Sequence, residues 1–236
     1  MGNERKVAVI TGASQGIGEA LVKAYLHRNY RVVATSRSIK PSTNPDVLAI
    51  GGNIGDPETG PRVIQAALDH FGRIDTLVNN AGIFTASPFT DFTADQYAAN
   101  ISTNVSGFFY ITQAAIAVME KQGRGHVVSI TTSLVDHAIS SVPSVLASLT
   151  KGGLNAATKS LAIEYAARGI RVNAVSPGII KTPMHAPETH AFLSALQPIG
   201  RMGDLADIAE AVMYLEGAQF VTGEILHVDG GQSAGH

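Results

Sequence analysis

Three glycines crowd one short stretch, Thr11-Gly12-Ala13-Ser14-Gln15-Gly16-Ile17-Gly18, directly after the apolar run Val7-Ala8-Val9-Ile10. A strand that runs into a glycine-rich turn and then a helix is suited to holding an anion. The glycines permit a tight turn and a close backbone approach. The helix N-terminus offers free N–H groups and a partial positive charge to a pyrophosphate. The spacing is G-x-x-x-G-x-G, not the G-x-G-x-x-G of the standard dinucleotide fingerprint. Residue types exclude other chemistries. The chain has no Cys, which removes disulfides, thiolate metal ligands and a Cys nucleophile. His185 and His190 form a pair, but no matching carboxylate cluster accompanies them, so no metal site is expected.

The elements that must position this turn follow from the spacing of apolar residues. Strands are expected at 7–10, 31–35, 47–50, 75–79, 126–131, 171–175 and 224–228. Helices are expected at 17–29, 57–71, 145–168 and 205–215, with one long helix over 95–121. Asp56 suits an N-cap, Pro57 a first helical position and Gly169 a C-cap. Strict alternation of strand and helix predicts an α/β fold: a single doubly wound Rossmann-like domain over 1–236. Its parallel sheet should have about seven strands, with helices on both faces. Two segments break the rhythm. Ser140 to Ser144 precedes a helix, and Thr182 to Arg201 is rich in Pro and His. Both follow strands, so both belong at the carboxyl edge, where open α/β sheets bind ligands. The stretch at about 182–201 is expected to form a small substrate lid.

Composition narrows the class further. The 236 residues are 45% hydrophobic and 15% charged, with a net charge of -2. That fits a folded globular domain and gives no basic footprint for nucleic acid. No apolar run reaches the 18 residues of a membrane span. Met1 to Lys6 is polar, so no signal peptide is expected, and a cytoplasmic location fits the absence of Cys. Gly accounts for 24 residues, about a tenth of the chain against a usual ~7%.

Around the glycine turn the sequence resembles the short-chain dehydrogenase/reductase family. Five further blocks match in order over nearly the whole chain. They are Asn79-Asn80-Ala81-Gly82, Asn104-Val105-Ser106-Gly107, Thr131-Thr132-Ser133, Pro177-Gly178 with Thr182, and Val228-Asp229-Gly230-Gly231. The resemblance implies an oxidoreductase that interconverts a carbonyl and an alcohol by proton-coupled hydride transfer. It places Gly12, Ser14, Gln15, Gly16, Ile17, Gly18, Asn53, Ile54, Asn80, Ala81, Gly82, Lys151, Pro177, Gly178, Ile180 and Thr182 along a nicotinamide coenzyme. Dinucleotide folds that take NAD carry an acidic residue about 20 positions past the glycines. Here the second strand ends in Thr35-Ser36-Arg37, with no carboxylate. Ser36 and Arg37 therefore favour NADP(H), since Arg37 can clamp a 2′-phosphate with paired donors.

The resemblance also implies a catalytic set: a hydroxyl holding the carbonyl, a Tyr moving the proton, a Lys four residues later and an Asn on the long helix. Lys151 and Asn104 match the last two. The hydroxyl is Ser133 or Thr132. Adjacent strand residues face opposite ways, so only one reaches the substrate. The Tyr position holds Ala147, and the neighbouring register, Asn155 before Lys159, does not restore it. Five substitutes for the proton donor are open: His137 beside Asp136, the hydroxyls of Ser148 and Thr150, Lys151 acting through a water and, more remotely, Tyr97 near the start of the long helix. His185, His190, Phe192 and Leu193 are expected to shape the substrate pocket. Small residues Gly107, Gly152, Gly153, Ala156 and Ala157 permit close helix contact in a homo-oligomer, a tetramer or dimer. The alternative is a nucleotide-binding protein of the same fold without redox activity.

Overall fold

The computed structural model describes residues 5–235. Residues 1–4, the first part of the polar start read above, lie outside the described residues. The elements are β1 (Val7–Thr11), α1 (Gly16–His27), β2 (Arg31–Ser36), β3 (Val47–Gly51), α2 (Thr59–Phe71), β4 (Thr76–Asn79) and α3 (Ala94–Asn100). Then come α4 (Gly107–Gln122), β5 (Gly125–Ile130), α5 (Val145–Tyr165), β6 (Ile170–Pro177), α6 (His190–Ala195), α7 (Leu205–Gly217) and β7 (Ile225–Val228). The seven strands pair in parallel in the order β3-β2-β1-β4-β5-β6-β7.

The apolar runs are continuous because both faces of the sheet are covered. Ala8 and Ile10 of β1 pack with Leu21 and Tyr25 of α1 and with Ile208 and Val212 of α7. Val7 and Val9 face the other way, onto Val63 and Ile64 of α2 and Ile111 and Met119 of α4. The strand order reverses between β1 and β4, so the loops after these two strands diverge and leave a crevice. The glycine turn and Asn80-Ala81-Gly82 lie on those two loops.

Three local expectations are corrected. The helix expected at 57–71 starts at Thr59. Asp56 instead folds a preceding turn, accepting from Glu58 N through Oδ1 at 3.0 Å and from Thr59 N through its carbonyl at 3.1 Å. The long helix is interrupted: a π-helical stretch, Ile101–Ser106, separates α3 from α4. The helix expected to reach 168 is α-helical to Tyr165 and tightens to a 3₁₀ turn over Ala166–Arg168, with Gly169 as the left-handed cap. Gly107 makes its close approach within the subunit: a Cβ there would sit 2.7 Å from Ile54 Cγ2, whereas one on Gly153 would meet nothing. Among the described residues no helix is long and apolar enough to cross a membrane. Among the described residues no group of three His, Cys, Asp or Glu side chains is placed to hold a metal ion.

Candidate active site

The carboxyl ends of β1, β2, β4, β5 and β6 open into a cleft of about 850 Å³. One end is built by the glycine turn, and β4 holds that turn in place. Asn80 Nδ2 donates to the carbonyls of Thr11 (2.9 Å) and Gly12 (3.2 Å). Thr11 Oγ1 accepts in return from the N–H groups of Asn80 (3.0 Å) and Ala81 (2.9 Å). Gly12 has φ +64°, and a Cβ there would stand 2.8 Å from Asn80 Nδ2. A Cβ on Gly18 would strike the Gly12 carbonyl. Gly12 and Gly18 thus serve the packing of the turn itself, and Gly18 is the one residue of the expected coenzyme set that does not line the cleft. Gly16, at φ +58°, faces Thr182 across it. Gln15 precedes α1 without a capping side chain, so the first N–H groups of α1 remain open to an anion.

The other expected coenzyme contacts converge on this cleft. Ser36, Arg37, Asn53 and Ile54 line the end near β2, and Ala81, Gly82, Pro177, Gly178, Ile180 and Thr182 line the opposite half. Arg37 is exposed and makes no hydrogen bond or ion pair with a described residue. Among the described residues no carboxylate lines the cleft, and its charged side chains are Arg37 and Lys151.

The expected catalytic set separates into residues on the cleft and residues behind it. Lys151 is 9% exposed and donates from Nζ to Ile130 O at 2.8 Å. Burial pulls its ammonium down to about 8 from an ordinary 10.5. Ser133 lines the cleft, and its buried Oγ has no hydrogen-bond partner. Thr132 also lines the cleft; its Oγ1 accepts from Leu134 N at 3.3 Å, capping a 3₁₀ turn over Ser133–Val135, and this bond does not use its O–H. Asn104 stands behind the wall, within the π-helical stretch. Its Oδ1 accepts from Ile83 N at 2.9 Å, and Nδ2 donates to Ile83 O at 3.0 Å and Thr150 Oγ1 at 3.1 Å. Asn104 therefore splints the loop after β4 to α5. A Cβ on Gly82 would lie 3.0 Å from Lys151 Nζ and 3.3 Å from Asn104 Oδ1, so a larger residue here would press on both side chains.

Several expected proton donors do not reach the site. His137 does not line the cleft, and its backbone N–H donates to Ser133 O at 2.9 Å. Its neighbour Asp136 pairs with His227 at 3.0 Å. Ser148 Oγ donates to Leu134 O (3.0 Å) and Thr150 Oγ1 to Leu146 O (2.7 Å), both inward into structure. No tyrosine lines the cleft. In the segment 182–201, His185, Phe192 and Leu193 line the cleft, whereas His190 turns its Nε2 onto His185 O at 3.1 Å.

Sequence reading missed Gln232. It comes from the far end of the chain, is buried at the cleft, and leaves Nε2 without a partner while Oε1 accepts from Gln197 at 2.9 Å. Nothing in its local sequence distinguishes it from a surface glutamine.

Comparison with known proteins agrees with this architecture. Residues 12–233 match a family model described as enoyl-(acyl carrier protein) reductase. The 3-oxoacyl-(acyl-carrier-protein) reductase FabG of Salmonella typhimurium is 36% identical over a 242-residue alignment, covering 98% of both chains. The structure of ElxO with NADP bound superposes with a TM-score of 0.92 at 30% identity, covering 98% of this chain and 100% of that one. A 3-ketoacyl-(acyl-carrier-protein) reductase from Brucella melitensis complexed with NADH gives a TM-score of 0.90 at 30% identity, over 98% of this chain and 99% of that one. With its parallel sheet, its glycine turn and Lys151 in one cleft, the chain belongs to the short-chain dehydrogenase/reductase family of oxidoreductase enzymes.

Proposed function

We propose that the protein is an NADP(H)-dependent oxidoreductase that interconverts a carbonyl and an alcohol on a small molecule. One observation carries this reading: an open helix N-terminus at a rigid glycine turn and a buried lysine share one cleft free of carboxylates. The residues fit a nicotinamide coenzyme. Gly12, Ser14, Gln15, Gly16 and Ile17 would hold its diphosphate on backbone N–H groups. Ser36 and the partnerless Arg37 would hold a 2′-phosphate, and Asn53 and Ile54 the adenine edge. Asn80, Ala81, Gly82, Pro177, Gly178, Ile180 and Thr182 would hold the nicotinamide half. When bound, the coenzyme supplies or accepts the hydride.

The chain's own residues do the rest. Ser133 offers its unpaired hydroxyl to the carbonyl oxygen. Lys151 stabilises negative charge as it develops beside it. Asn104 is a positioning residue that fixes the loop of Gly82 and Ile83 against α5. The segment 182–201 serves as the substrate lid. Exposed apolar side chains on the outer helices, Phe109, Leu149 and Ile163, fit a homo-oligomer, a dimer or tetramer. A second reading, coenzyme binding without redox turnover, is favoured by one fact: Ala147 stands one turn before Lys151 and no tyrosine lines the cleft. The two readings separate on following NADPH consumption across a panel of aldehydes and ketones. Consumption above the protein-free rate is the expected result; tight NADPH binding with no turnover on any carbonyl contradicts it.

A further inference from the structure

Around Ala147 the cleft holds polar groups that nothing satisfies. Ala147 is 3% exposed and lines the cleft, and Lys151 follows one helical turn later on the same face. Ser148 and Thr150 are bonded away from this space, to Leu134 O and Leu146 O. An ammonium has three N–H donors, yet the only described acceptor for Lys151 is Ile130 O. Ser133 Oγ is buried with no partner at all. Spare donors in a buried place cost free energy until an oxygen meets them. The methyl group of Ala147 supplies none, so this stretch of the cleft wall is a recess in which the spare donors of Lys151 lie one helical turn from a methyl group.

The same cleft holds few groups with a proton to give, and Lys151 is the one that competes with a ligand for that role. Its titratable side chains are Arg37, Lys151 and His185. Arg37 stands after β2, at the other end of the cleft. His185 Nδ1 donates to Ile180 O at 2.9 Å, and burial favours its neutral ring, which leaves Nε2 an acceptor. The same cleft also has apolar walls, Phe84, Leu134, Ile139, Val142 and Phe192 among them, that suit an aryl or alkyl body.

Resting on the oxidoreductase reading, we propose that the recess at Ala147 receives a hydroxyl group of the ligand itself. The substrate class is then a carbonyl compound with an acidic hydroxyl β to the carbonyl, an ortho-hydroxyaryl ketone or an enol. In reduction the carbonyl carbon gains a hydride from the reduced nicotinamide coenzyme. The carbonyl oxygen gains the proton of the ligand's hydroxyl. The oxyanion left on the ligand is held by the Lys151 ammonium and recovers a proton from water. The sum is one carbonyl, one reduced coenzyme and one proton giving one alcohol and one oxidised coenzyme.

The test has two arms, each run on the wild-type chain, Ala147→Tyr and Ala147→Phe, with folding of each checked by circular dichroism. The first titrates phenol into coenzyme-free protein by ligand-observed NMR. Saturable binding to wild type, lost in both variants, is expected. Absence of saturable binding, or equal binding to all three chains, overturns the recess. The second compares NADPH-dependent turnover of 2′-hydroxyacetophenone, acetophenone and 2′-methoxyacetophenone. Wild type should favour the hydroxyl compound at least tenfold, and Ala147→Tyr should level the three. Equal wild-type rates would mean that Lys151 supplies the proton and would overturn the substrate class. Phenol binding with no turnover of any ketone by any chain would overturn the substrate class together with the oxidoreductase reading, leaving only the hydroxyl site.

Discussion

The two ends of the sheet bury polar groups in opposite ways. At the amino ends of β4, β5 and β6, one buried carboxylate is saturated. Glu216 of α7 accepts from Tyr30 OH (2.8 Å), Thr76 Oγ1 (2.9 Å), Tyr25 OH (3.3 Å) and His126 Nδ1 (2.9 Å). His126 Nε2 faces two donors, Asn173 Nδ2 at 3.1 Å and Arg171 Nη1 at 3.3 Å. The imidazole is therefore neutral, with its proton on Nδ1, as its burial also favours. Burial pushes the Glu216 carboxyl up, but the donors from His126, Tyr30 and Thr76 outweigh it and hold it down at about 2. At the carboxyl ends the pattern reverses. Ser133 Oγ, Gln232 Nε2 and the spare N–H groups of Lys151 are buried and unmatched. A saturated polar cluster holds a fold together, whereas an unsaturated one costs stability until an acceptor meets it.

The contrast breaks first on Glu216→Ala. Removing the shared acceptor strands several buried donors and should cost about 3–5 kcal/mol of stability. Denaturant unfolding measures it, and NADPH affinity of the folded fraction should not change.

Acid probes the same cluster with nearly as large an effect. The Glu216 carboxyl titrates at about 2 in the fold against an ordinary 4.5. Its stabilisation is complete above pH 4.5 and is lost as pH falls from there toward 2, about 3 kcal/mol in all. His126, held neutral below its ordinary 6.5, adds a decline with the same sign that begins near that pH. Unfolding followed from pH 7 to 3 should show the loss, and Glu216→Gln should flatten the part below pH 4.5.

At the other end a deletion should do the reverse. The Lys151 ammonium, held near 8 against 10.5, costs the fold stability at every pH below 8, a cost that disappears as pH rises past 10.5. Lys151→Met should raise stability at pH 7 by about 1–3 kcal/mol while lowering turnover by about 10²–10⁴. Stability and activity moving in opposite directions in one variant would sharpen the contrast; a fall in both would break it. The smallest effect belongs to Arg37. Arg37→Ala should weaken NADPH binding by about 10–100-fold, the worth of one charged hydrogen-bonding group, and leave NADH nearly unaffected.

Much of one end was legible in the sequence and almost none of the other. The apolar strands and the glycine turn announce themselves because each is local: a run buried on both faces, and a turn that needs positive φ at Gly12 and Gly16. The Glu216 cluster joins Tyr25 to Glu216 across 191 positions, and no local pattern marks its members. The π-helical stretch of Asn104 escapes a 3.6-residue period because it shifts the register without removing the apolar face. His137 was misplaced for a geometric reason: its loop turns through Ser133–Val135 and carries it off the cleft that Ser133 and Leu134 line.

The account depends most on the cleft being a coenzyme site. Calorimetric titration of the wild-type chain with NADPH and with NADH addresses it directly. The prediction is one saturable site per chain, tighter for NADPH, with the preference removed by Arg37→Ala. Absence of saturable binding by either coenzyme would contradict it.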